Sequence, residues 1–373
     1  MRPFRRHATS RAKPDLVLLA LIAGLVVFGM VMLASASGPL GLARFGDAYY
    51  FVKHQLLYGV VPGVIALLVM MRIPYRVWKR AALPLLVFSI VLLVLVFIPG
   101  IRAEFGTARS WIQLGPFSMQ PSEVVKLTFL LYLAAWLEVR GEAGVRSFRT
   151  GLVPFLVVLG AVMGLLILQP DTGSMSIIVI ESLVVYFIAG AALPHLIAIG
   201  GGGLALLALL IKISPYRAAR LMTFLHPELD PQGVGYHINQ ALLAAGSGGL
   251  LGLGLGHSRQ KFQYLPEVQG DSIFAVMAEE LGFLFGAAFI ALLLLLLWRG
   301  LRTVAEAPDQ FGKLVGVGIL TWITFQAFLN IGAMIGIMPL TGVPLPFVSY
   351  GGTALVTVLA ASGVLLNISK HRR

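Results

Sequence analysis

Ten separate runs of this chain are apolar and long enough to cross a hydrocarbon layer of about 30 Å, which takes roughly 20 helical residues each. They lie near 16–36, 50–71, 82–99, 121–138, 152–169, 173–191, 193–213, 272–298, 312–338 and 346–367. In lipid, every main-chain N–H and C=O must be satisfied within the protein, so runs of this length become helices. The predicted fold class is therefore an all-α polytopic membrane protein with ten transmembrane helices. No tandem repeat or low-complexity linker divides the chain, and residues 1–373 are read as a single domain. The first run is too long for a cleaved signal and lacks an A-x-A exit, which predicts a retained helix.

The Lys and Arg residues set the orientation. Both termini are predicted inside, because the segments this places in the cytoplasm hold 18 of the 28 cations, from the basic N-terminus at 1–14 to Lys370, Arg372 and Arg373. The net charge of +12 follows this topological pattern and points to no nucleic acid. With no cysteine, disulfides and thiolate metal sites are excluded, and the seven histidines show no HExxH-type spacing. One outer segment, 214–270, is far longer than a connector needs. Its amphipathic start predicts short helices on the membrane surface.

Polar residues gather at the outer ends of the spans. Asp271 stands where a loop turns into the eighth span, and both an N-cap and a functional acid fit that position. Glu279 and Glu280 follow inside the span. At 100° and 1.5 Å per residue, Glu279 is the one that can share a cavity with Asp271, about 12 Å deeper. Glu123 and Lys126 are three apart at the start of the fourth span, the spacing of a helical ion pair or of two substrate-facing groups. Asp171, in "LQPDTGS", fits a tight turn. Arg217, Arg220, Arg259 and Lys261 run against the inward charge bias, which suits either lipid headgroups or an anionic ligand. The N–H groups of "GSGGLLGLGLG" are candidates for a phosphate cradle beside them. In "NIGAMIGIMPLTGVPLPFVSYGGT" three prolines break the helix pattern at membrane depth, marking a site wall with Ser349 and Tyr350 as its polar atoms.

Taken in order, "WIQLGPFSMQPSEVVKL", "LQPDTGS", "GYHINQALLAAGSGGLLGLGLGHSRQKFQYLPE", "FAVMAEELGF" and "PLTGVPLPFVSYGGT" resemble the SEDS family of polytopic peptidoglycan polymerases over nearly the whole chain. Gln260-Lys261 before "YLPE" resembles its division and sporulation branch. The resemblance implies ten spans with both ends inside the bacterial cytoplasmic membrane and an active site on the outer face. It also implies lipid II as substrate, a class B penicillin-binding protein and other division or elongation membrane proteins as partners, and Asp271 as the essential catalytic acid. Relatives commonly carry His-Thr before that Asp, where this chain has Gln269-Gly270, and Arg directly before Trp111, where this chain has Ser110 with Arg109 one position earlier.

Joining the anomeric carbon of a strand on undecaprenyl pyrophosphate to the 4-hydroxyl of lipid II requires a base and cationic help for the leaving group. Asp271 is the candidate base. The candidate substrate-binding set is Arg217, Arg220, Arg259, Lys261, Glu123, Lys126, Arg109, Asp171, Glu279, Ser349 and Tyr350. A divalent ion, Mg²⁺ or Mn²⁺, is an additional candidate, held mainly by phosphate oxygens. The competing readings are a lipid II flippase and another polyprenyl-linked glycan polymerase or ligase.

Overall fold

The computed structural model describes residues 13–100, 110–114, 117–226 and 233–371. Arg109 lies outside them, as does the side chain of Arg217. Helix α1, Leu16–Phe45, begins where the Asp15 carboxylate accepts from the N–H groups of Val17 and Leu18, at 3.0 and 3.1 Å. It ends at Gly46, whose left-handed φ of 68° turns its N–H back onto Leu42 O. This helix outlasts the predicted 16–36, because its last two turns stay helical up to that cap.

Helix α2 (Tyr50–Gln55) runs through a π turn into α3 (Val61–Arg72), giving one span. After the short α4 (Arg76–Arg80) come α5 (Ala82–Leu95) and a two-stranded antiparallel hairpin, β1 (Ile112–Leu114) and β2 (Phe117–Met119), with Gln113 opposite Ser118. Helices α6 (Pro121–Arg146), α7 (Val153–Leu168), α8 (Thr172–Ile188) and α9 (Leu193–Ile213) follow. The long segment 214–270 then holds α10 (Pro215–Leu225) and α11 (Val234–Ser247), short helices of the kind its amphipathic start predicts. The chain closes with α12 (Ile273–Ala305), α13 (Gln310–Met334) and α14 (Gly352–Ser369).

Seven helices among the described residues are long and apolar enough to cross a membrane. The other predicted spans coincide with α5, α6 and α8. Of these, α5 and α8 have 14 and 17 residues, and α6 carries Glu123, Lys126, Glu138 and Arg140 along its length. Helices α13 and α14 are mostly buried within the bundle, while α9 buries none of its residues. Close approach of α3 and α14 depends on small residues. A Cβ on Gly363 would lie 2.5 Å from Leu67 O, and one on Gly63 would lie 2.6 Å from Leu359 Cδ1.

The structure corrects two sequence boundaries. Residues 346–351 are not helical, since Pro344, Pro346 and a left-handed Phe347 (φ 66°) hold them in an irregular segment, so the last helix starts at Gly352 rather than 346. The eighth span is not one smooth helix. Gly282, at φ 77° and ψ −179°, interrupts α12, and this break would leave main-chain groups unsatisfied inside the bundle. The glycine-rich run fills it. Leu253 and Gly254 donate to the carbonyls of Glu279 and Glu280, at 3.0 and 2.9 Å, and Phe283 and Leu284 donate to Gly249 and Leu250, at 2.9 and 3.1 Å. At Gly252 (φ 81°) an added Cβ would meet Glu280 O at 2.2 Å, which is why glycine is required there. The N–H groups of Leu253 and Gly254, expected as part of a phosphate cradle, therefore stitch a broken helix instead.

Candidate active site

Three consecutive carbonyls hold the turn that carries Asp271. Gln269 O accepts from Tyr350 N at 2.8 Å, Gly270 O from Ser349 Oγ at 2.6 Å, and Asp271 O from Asn330 Nδ2 at 2.7 Å. The irregular 335–351 segment and the end of α13 thus fix this turn in place. Ser349 and Tyr350, expected as polar wall atoms, hold main-chain carbonyls of this turn, Ser349 through its hydroxyl and Tyr350 through its main-chain N–H. The Tyr350 hydroxyl is engaged with His54 Nδ1 at 2.8 Å.

The residue preceding α12 is Ser272, and no side chain caps that helix. The N-cap reading of Asp271 therefore fails. Its side chain borders a cleft of about 210 Å³ with Arg220, Phe224, His237, Leu340 and Gly342. Oδ1 has no hydrogen-bond partner among the described residues. Burial, with Glu267 adding to it, pushes the carboxyl up to about 7. Arg220 and the main-chain N–H groups of residues 271 and 272 pull it part of the way back. A carboxyl with these properties exchanges a proton near neutrality.

Arg220, on α10, is oriented by its Nη1, which donates to Leu340 O at 2.9 Å. His237, on α11, contacts Ser272 Oγ through Nε2 at 2.6 Å, and that hydroxyl also donates to Pro266 O at 2.7 Å. Burial and the nearby Arg220 lower His237 to about 4. Sequence reading overlooked His237 and Asn330, although both lie in the stretches it singled out. Each is a polar residue in a largely apolar stretch, but what they touch depends on the fold.

The other candidates whose side chains are described lie away from this cleft. Lys261 Nζ is buried and pairs with Glu280 Oε1 at 2.8 Å, with Gly256 O and Ser35 Oγ beside it. It also lines a second cavity of about 370 Å³, with Arg44, Glu267 and Gln269. Glu279 does not share the Asp271 cleft as the helical wheel implied. It accepts from the N–H groups of Arg259 and Gln260 and from Ser258 Oγ, and so pins the loop at 258–260 to α12. The side chain of Arg259 is exposed. Glu123 and Lys126 form a buried pair at 2.8 Å. Lys126 also donates to Gln326 Oε1 at 2.7 Å and lies over the Trp322 ring. Asp171 caps α8 by accepting from Ser174 N, and it also accepts from Ser122 Oγ and Gln120 Nε2, at 2.8 and 3.0 Å. No group of three or more His, Cys, Asp or Glu suited to a metal occurs among the described residues.

Comparison with known proteins agrees over the full length. The family model described as "Cell cycle protein" (FtsW, RodA, SpoVE) matches residues 15–373. Stage V sporulation protein E of Bacillus subtilis (strain 168) is 43% identical over 365 residues, covering 98% of this chain and 99% of its own. A probable peptidoglycan glycosyltransferase FtsW of Trichlorobacter lovleyi is 40% identical over 368 residues, covering 99% and 95%. Among solved structures, a chain from a peptidoglycan synthase complex, described as coordinating polymerization and crosslinking, superposes with a TM-score of 0.79 at 30% identity, covering 95% of this chain and 97% of that one. The Thermus thermophilus rod shape determining protein RodA gives a TM-score of 0.71 at 29% identity, covering 96% and 97%.

Proposed function

The chain belongs to the FtsW/RodA/SpoVE family, and from that membership we propose that it is a peptidoglycan glycosyltransferase that polymerises lipid II at the outer face of the bacterial cytoplasmic membrane. In this reading the chain is one domain with ten spans and both termini inside. Its partner is a class B penicillin-binding protein, as the crosslinking complex of its structural neighbour suggests. The observation that carries the proposal is the Asp271 carboxyl, held near 7 by burial and lining the same cleft as Arg220.

The carboxylate takes the proton of the lipid II 4-hydroxyl as that oxygen bonds to the anomeric carbon of the growing strand. The bond from that carbon to undecaprenyl pyrophosphate breaks on the opposite face, inverting the centre. Arg220 stands where it can offset the charge on the departing pyrophosphate. A carboxyl near 7 is a stronger base than an ordinary aspartate, and about half of it is ionised at neutral pH. The hydrophobic flank of the cleft, Phe224, Ile238 and Leu340, suits polyprenyl chains entering from the lipid. A divalent ion in this cleft would be carried by pyrophosphate oxygens, with Asp271 the one carboxylate lining the cleft among the described residues.

Purified protein in detergent, where no membrane sides exist, should convert lipid II into glycan polymer. Translocation of lipid II in vesicles with no polymer formed would favour a flippase instead.

A further inference from the structure

The hydrogen-bond chain from α11 to the loop before α12 fixes the chemistry of one ring. A serine hydroxyl carries a single proton, and Pro266 O can only accept, so Ser272 donates there at 2.7 Å. Ser272 Oγ must therefore accept from His237, and the 2.6 Å contact assigns the proton to Nε2. The ring is neutral, because burial and Arg220 hold it at about 4. Its other nitrogen, Nδ1, is left as an acceptor. No described residue donates to Nδ1, and His237 lines the same cleft as Asp271 and Arg220.

We propose that His237 binds substrate, its Nδ1 accepting a hydrogen bond from a hydroxyl or acetamido N–H of the hexosamine that enters the Asp271 cleft. This rests on the polymerase reading and adds a specificity element to it. Arg220 supplies donors for anionic oxygens, Asp271 supplies the base, and His237 supplies a neutral acceptor, the one group of the three that recognises a sugar donor without attracting charge. Because Ser272 immediately follows Asp271, the same ring also ties sugar recognition to the turn that carries the base.

Two variants of the full chain separate recognition from support. In His237→Gln the amide Nε2 keeps a donor for Ser272 and leaves no acceptor at the Nδ1 position, whereas His237→Phe loses both. Direct titration with lipid II should show His237→Gln binding about tenfold more weakly than wild type. In polymerisation assays KM should rise by a similar factor, with kcat within about twofold. His237→Phe should add a fall in kcat. Wild-type lipid II affinity in His237→Gln would overturn the proposal. So would equal losses of kcat at unchanged KM in both variants, which would make the ring a strut only. If the wild type binds lipid II but makes no polymer, the polymerase reading fails while the two affinities still decide the role of His237. If it does not bind lipid II, both fall.

Discussion

The side-chain amide of Asn330 donates both to the main-chain carbonyl of Asp271, at 2.7 Å, and to Val343 O, at 2.8 Å. One residue at the end of α13 thus joins the peptide of the candidate base to the irregular segment that forms the cleft wall. Asn330→Asp would place an acceptor against two carbonyls, while Asn330→Leu would only remove the donors. The expected order of polymerase activity is wild type, then Leu, then Asp. The Leu variant should lose about 1–3 kcal/mol of stability for the unsatisfied carbonyls. Thermal melting and glycan yield, measured together, check this ordering.

The pH dependence follows from the direction of the Asp271 shift. The base must be ionised, so kcat/KM for lipid II should rise with pH through an inflection near 7, falling about tenfold per unit below it. Arg220 favours the ionised form, so Arg220→Ala should move the inflection upward as well as lower the rate. A flat profile between pH 5 and 8 would contradict the assignment.

Stability should move in the opposite sense. Because the folded value lies above the ordinary 3.8, the folded state binds the proton more tightly than the unfolded chain. The stability that this contributes is complete below about 3.8 and is lost as pH rises through about 7. Asn carries no charge to desolvate. Asp271→Asn should therefore melt at or above the wild-type temperature at pH 8, with the difference closing toward pH 4. Differential scanning measurements across that range give the sign directly.

Lys261 and Glu280 separate a structural cation from a substrate cation. Lys261→Met leaves Glu280 buried without its partner and should cost about 3–5 kcal/mol. The double variant Lys261→Met with Glu280→Leu removes both charges and should recover most folding and most polymerisation. A well-folded double variant with no activity would return Lys261 to the leaving-group role.

Much of the membrane architecture was legible because apolar length and flanking charge act locally. The start of α6 at Pro121 and the break around Pro344 and Pro346 follow from single-residue chemistry. The interruption of α12 was not legible, since one glycine at 282 looks like many glycines in membrane helices. Its significance appears only when residues 249–254 supply the missing hydrogen bonds. Lys261 was misplaced for a similar reason. Its position in an outer loop suggested a free cation, yet the loop folds inward and buries it against Glu280, 19 residues along the chain. For Asp271, sequence spacing left cap and catalyst open. The structure removed the cap, because the helix begins after Ser272 without using the carboxylate.

The central claim is tested most directly by Asp271→Asn. Asn keeps the size of the side chain and nearly all of its surroundings but cannot accept the proton of a sugar hydroxyl. The account predicts a variant that accumulates, melts no lower than wild type, binds lipid II, and forms no glycan strand when supplied with it. Polymer formed at a substantial fraction of the wild-type rate would contradict Asp271 as the base, whatever the rest of the cleft does.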